Sequence, residues 1–217
     1  MVRRTRPGRG SYRIKLDGEW TLEDLYIFPR TFEQVYFLLY SLSRDIIDID
    51  LDSVEHAFSA FPWQGGFSAV GFYDQLKYAT QKNFRPEIVS IEYASPGHLD
   101  LALFVRVAQG IGVTIALIAP HIKTLSAAYT AIYRDAQSRK LLKIKVEHEE
   151  IRLAKKEMEF VLSANKKLAR MMHLEDLPEI ERRAGHPYRA FKILLSLFRR
   201  LRTLAEYKND GKAEFDS

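Results

Sequence analysis

The chain has 217 residues, 47% of them apolar and 28% charged, which are values of a folded globular protein and exclude general disorder. It contains no cysteine, so disulfides and thiolate metal sites are excluded, and this composition suits a reducing, cytoplasmic setting. The net charge of +5 is placed unevenly: the first ten residues carry Arg3, Arg4, Arg6 and Arg9 without an acid, and residues 187 to 208 carry six cations against Glu206 alone. The body between is therefore acidic, a distribution that points to a polyanionic partner or to an acidic patch on a second copy.

Residues 1–10 read as a flexible basic arm, and without an apolar core segment they do not form a secretory signal. In "SYRIKLDGEW" Tyr12, Ile14 and Leu16 alternate with Arg13, Lys15 and Asp17, which is strand periodicity. Asp17-Gly18 then suits a tight turn and predicts a hairpin. "TLEDLYIFP" fits either a helix start or a strand closed by Pro29. Beyond it, Thr31 and Gln34 open a helix predicted over 32–43.

The four aspartates of "RDIIDIDLDS" lack the glycine and the distal glutamate of a calcium loop, so no metal is expected there. "FPWQGGFSAVGFYDQLKY" places Gly65 and Gly66 at a sharp turn, with Ser68 able to cap a helix carrying Tyr73 and Leu76. Trp63, Gly65 and Gly66 form a possible loop site, although the spacing matches neither a P-loop nor a dinucleotide fingerprint. "EIVSIEY" reads as a buried strand, and "HLDLALF" as a second strand or a helix start.

Residues 101–120 are the most apolar stretch. They are long enough to span a bilayer, but Arg106 within them would cost roughly 2.5–3.5 kcal/mol there. A core helix over 103–119 is the favoured reading, with a membrane segment as the alternative. From 121 to 172 neither proline nor glycine occurs, predicting one long helix. Its heptad seam includes Leu141, Ile144, His148, Ile151, Met158, Leu162 and Met172, an assembly seam for a coiled coil or a helical hairpin.

Pro178 then opens a short helix that Gly185 ends, and Pro187 opens the last one. That last helix is basic and amphipathic: Tyr188, Phe191, Leu194, Leu195, Phe198, Leu201 and Leu204 lie opposite Arg189, Lys192 and Arg199. Arg189, Lys192, Arg199, Arg200 and Arg202 are the candidate residues for binding an anion or partner. Residues 209–217 read as a loose tail.

No two histidines stand three or four residues apart, and no serine nucleophile elbow occurs, so neither a metal, a cofactor nor a catalytic residue is assigned. Arg182 and His186 stand closer together than the nucleolytic motif of HEPN ribonucleases requires.

The fold expected is α+β: a small, mainly antiparallel sheet with packed helices over 11–120, followed by a helical region over 121–208. The function expected is a non-enzymatic assembly or interaction protein. It would self-associate, or dock a protein partner, through the long helix and the basic C-terminal helix. The alternatives are attachment to a membrane through 101–120 or 187–207, and binding of nucleic acid by the basic termini.

Overall fold

The computed structural model describes residues 8–43, 49–60, 68–143 and 153–216, and the α+β class holds. Strand β1, Arg9–Leu16, forms where the alternation predicts it. Its turn does not make a hairpin. Gly18 takes φ 67°, but the chain passes directly into helix α1, Leu22–Leu42. Strand β1 instead pairs antiparallel with β3, Gly97–Phe104, and with β4, Ala213–Phe215. With β2, Glu87–Glu92, the sheet order is β2-β3-β1-β4. Turn chemistry acts over four residues, whereas the partner of β1 is chosen by apolar faces about ninety residues away.

Helix α1 starts ten residues earlier than the 32–43 prediction and runs through Pro29. A capping box explains the early start: the Asp24 amide donates to Thr21 Oγ1 at 3.1 Å, while the Thr21 amide donates to Asp24 Oδ2 at 2.9 Å. Proline removes one helical hydrogen bond, and complete burial of Phe28 and Phe32 on either side offsets that loss. Helices α2, Leu51–Ala60, and α3, Ser68–Ala79, pack on each other and α3 packs on α1.

Strand β3 hands over directly to α4, Val105–Ile118, which is the predicted core helix shifted by two residues at its start. A 3-10 turn at Ala119–His121 carries Pro120 and leads into α5, Ile122–Ser138. The long helical run is therefore Val105–Ser138, not 121–172. Proline sits in the first turn of a helix without cost, so Pro120 does not end the run. The break falls later, where Lys140 takes φ 59° and the chain turns through Leu141–Lys143. Helix α6, Lys155–Met171, follows as a separate element. The Tyr188 hydroxyl donates to the Leu141 carbonyl, a tertiary contact that holds the bend.

Helix α7, Leu177–Ala184, ends at Gly185 with φ 65°, as its sequence predicts. Helix α8, Pro187–Asn209, is the largest departure from expectation. It is not a surface helix with one oily side: Ile193, Leu197 and Ala205 are buried along with the predicted apolar face. It touches α1, α4, α5, α6, α7 and β4, so it runs through the middle of the fold. The 209–217 tail is likewise structured up to Asp216. Strand β4 pairs with β1, and Phe215 packs on Phe28 and Phe32 with ring centroids 5.9 and 6.5 Å apart. One hydrophobic cluster joins the sheet, α1, α4 and α8, so the 11–120 and 121–208 regions share a core. Residues 1–7 lie outside the described residues, and Arg9 and Gly10 of the expected arm belong to β1.

Candidate functional site

Among the described residues, the cations singled out from sequence do not come together. Arg189 donates to the Ala184 carbonyl at 3.3 Å. Lys192 lies 5.1 Å over the Tyr188 ring, and burial pulls its ammonium down to about 8. Arg199 is exposed, and Arg202 lies 3.5 Å from Glu206 on its own helix. Arg200 reaches the other way, to Gln34 of α1 at 2.7 Å. The five cations are thus distributed around a buried helix instead of forming one basic patch.

The assembly seam divides similarly. Leu141 and Met172 are buried within the chain, Met158 is half-buried, and Leu162 is 37% exposed. Ile144, His148 and Ile151, and the loop residues Trp63, Gly65 and Gly66, lie outside the described residues. Among the described seam residues Leu141 and Met172 are covered by the chain itself, as is the apolar face of α8.

Among the described residues, a cluster of uncovered apolar side chains lies at the β2 edge of the sheet. Register fixes which way its side chains face. Ile88 stands opposite Leu101 and Ile91 opposite Leu99, so both isoleucines share the core-facing side. Leu99 and Leu101 are buried, yet Ile88 and Ile91 are 60% and 53% exposed. The reason is geometric: the sheet extends one strand beyond the helices that cover it. A groove of about 320 Å³ results, with Leu25, Tyr26, Pro29 and Phe32 of α1 on one wall and Pro86 and Ile88 on the other. Leu22, 87% exposed, and Tyr26, 64% exposed, continue the apolar rim by one helical turn.

The opposite face of the same strands is polar and ordered. Asp100 accepts from Arg13 Nε at 2.7 Å and Nη2 at 2.8 Å, and from the Ser90 hydroxyl at 3.0 Å. The Arg13 hydrogen bond, joined by that of Ser90, holds the Asp100 carboxyl down at about 2 against the cost of burial. His98 lies 3.5 Å from both Glu92 and Asp100. Glu87 pairs with Arg9 at 2.6 Å. Glu87 and Glu92 therefore stand at the two ends of the edge strand on its polar side.

A register shift between Ile88 and Ser90 makes Val89, 63% exposed, a bulge. Among the described residues no strand pairs with the outer side of β2, and no group of three or more metal-ligating side chains comes together. "EIVSIEY", expected as a buried strand, is instead a largely exposed one; its apolar content is legible, but nothing local says that it lies at an edge.

The helical run Val105–Ser138 is long and apolar enough to cross a membrane by length and composition, and 33% of its most apolar window is buried in the fold. Val113 and Leu117 project from its outer side. No protein-family model, curated protein or solved structure matches this chain.

Proposed function

We propose that the protein is an interaction module that takes an extended segment of a partner protein onto the edge of β2. The partner's apolar side chains would then enter the groove beneath, against α1. The observation that carries this reading is the exposure of Ile88 and Ile91 on the core-facing side of an edge strand that, among the described residues, has no partner on its outer side, beside a formed groove. An edge strand supplies a row of backbone donors and acceptors, and alternate pockets supply selectivity. Fully burying side chains of this size stabilises by about 1.5–3 kcal/mol each, enough for three or four to hold a peptide.

Charge selects the occupant. Antiparallel pairing of two β2 strands with isoleucine opposite isoleucine sets Glu87 against Glu92 of the second copy at both ends. Directly opposed like charges destabilise a strand pair, so this edge resists its own copy. A segment with lysine or arginine alternating with apolar residues meets both faces favourably.

A synthetic peptide of alternating valine and lysine tests the reading, with a valine–glutamate peptide as its control. The first should bind and slow amide exchange at residues 87–92, and Ile88→Glu should abolish this. Equal binding of both peptides would remove the charge argument, and exchange unaffected at 87–92 would remove the site. A dimer that Ile88→Glu dissociates would replace the partner by a second copy.

A second reading rests on the outward side chains of Val113 and Leu117 on the apolar helical run, which fit attachment to a lipid surface. Flotation with anionic liposomes, lost on Val113→Glu with Leu117→Glu, is the expected result. A chain that stays at the bottom of the gradient excludes it.

A further inference from the structure

Helix α6 buries Val161, Ala164 and Leu168 and packs on α8, which leaves its other side facing solvent. That side carries charge of one sign. Lys155, Lys156, Lys166, Lys167 and Arg170 are all exposed, and Glu159 is the one exposed acid of the helix. Among the described residues none of these five cations forms an ion pair or a side-chain hydrogen bond.

Helix stability does not account for the pattern. Lys155 and Lys156 occupy the first turn, where the helix dipole favours acids and opposes cations. The later three suit the dipole at the other end, but no acid stands three or four residues from any of them to complete an intrahelical pair. Lys166 and Arg170 are themselves a repulsive pair of like charges one turn apart. A polyanion laid along the face relieves that repulsion and releases its own counterions.

Spacing narrows the choice of polyanion. Lys155 and Lys156 stand eleven residues before Lys166 and Lys167, about three helical turns, so the two doublets share one side about 16 Å apart. The major groove of B-form DNA is about 12 Å wide, so cations at that separation meet the backbones on both of its banks. Lysine meets phosphate as a point charge, and no asparagine or glutamine is exposed on α6 to read base edges. Lipid is the poorer fit. An interfacial helix lays an apolar face into the bilayer, whereas the apolar face of α6 is buried against α8 and only Leu162, 37% exposed, is a large apolar side chain open to solvent on it.

We propose that the outer face of α6 binds the phosphate backbone of double-stranded DNA without regard to base sequence. The face shares no residue with the β2 groove, so the two surfaces stand or fall separately.

Fluorescence anisotropy of the full chain with a short labelled DNA duplex tests this. Five phosphate contacts give a slope of log affinity against log salt of about −4.5, a loss of about 500-fold between about 50 and 200 mM salt. Lys166→Gln with Lys167→Gln should make the slope shallower by about 2 and weaken binding about tenfold or more at the lower salt. Lys155→Gln with Lys156→Gln should do the same, whereas Arg199→Gln, at an exposed position of α8, should bind as the parent does. Thermal unfolding of each variant verifies that the fold persists. The proposal fails if both α6 variants keep the parent's slope, if Arg199→Gln weakens binding as much as they do, or if a single strand of equal length binds more tightly than the duplex. It fails also if the duplex does not bind at the lower salt, and flotation of the chain with anionic vesicles would then name a membrane as the occupant.

Discussion

The Tyr207 hydroxyl donates to Asp24 Oδ1 at 2.9 Å, joining the end of α8 to the first turn of α1 across 183 residues of chain. Lys212 completes the clasp by donating to Asp24 Oδ2 at 2.9 Å, and Trp20 stacks on Tyr207 with centroids 5.5 Å apart. One carboxylate thus serves as cap, tertiary acceptor and ion-pair partner. The Thr21 amide is the largest influence holding its pKa well below the usual carboxylate range, followed by Lys212.

A depressed folded pKa means that the unfolded chain binds the proton more readily. The stability this adds is complete above about pH 4, where the unfolded aspartate is ionised, and is lost as pH falls towards the folded value. Asp100 acts in the same direction between about pH 4 and its folded pKa of about 2. Asp24→Asn should lower the urea midpoint at pH 7 and flatten its fall between pH 4 and 2. The cap alone contributes about 1 kcal/mol. An unchanged acid limb in the variant would show that Asp24 carries no such linkage.

Two glycines of α4 should respond oppositely to alanine. A methyl at Gly112 would stand 2.7 Å from the Tyr12 hydroxyl and 3.0 Å from the Asp216 carbonyl, whereas Gly110 has nothing within 4 Å. Gly112→Ala should destabilise by about 1–3 kcal/mol through overpacking. Gly110→Ala should stabilise by about 0.5–1 kcal/mol through helix propensity. Paired denaturation curves decide the matter, and equal effects would contradict the close approach of α4 to β1 and β4.

Tyr36 stands at the junction of sheet and helix. Its hydroxyl donates to the Phe84 carbonyl at 2.8 Å and accepts from the Phe104 amide at 3.1 Å. Tyr36→Phe keeps the ring but leaves a buried donor and acceptor unpaired, so it should cost about 1–3 kcal/mol. Amide exchange at Phe104 should quicken by more than global destabilisation accounts for.

The last strand is structural. Phe215 is 6% exposed against Phe28 and Phe32, so Phe215→Ala should cost about 3–5 kcal/mol. By contrast, Ile88→Glu on the open groove should change stability by no more than about 0.5 kcal/mol. A variant at Ile88 that unfolds the chain would mean that the groove belongs to the core.

Signals that act within a few residues were readable from the chain alone. Tyr12, Ile14 and Leu16 marked β1, Gly185 marked the end of α7, Pro187 marked the start of α8, and the mixture of strand and helix periods marked the α+β class. Each of these depends on backbone geometry or side-chain alternation that a short window contains. Only the tertiary structure decided which strand β1 pairs with, that Phe215 belongs to the sheet, and that α8 is buried on nearly every side. The apolar stripe of α8 was visible, but Ile193, Leu197 and Ala205 look the same in sequence whether water or another helix meets them. The same holds for "EIVSIEY": its apolar residues declare a strand, and only the reach of α1 across the sheet determines that Ile88 and Ile91 stay uncovered. Burial depends on distant segments competing for the same surface, a property that no local stretch of the chain records.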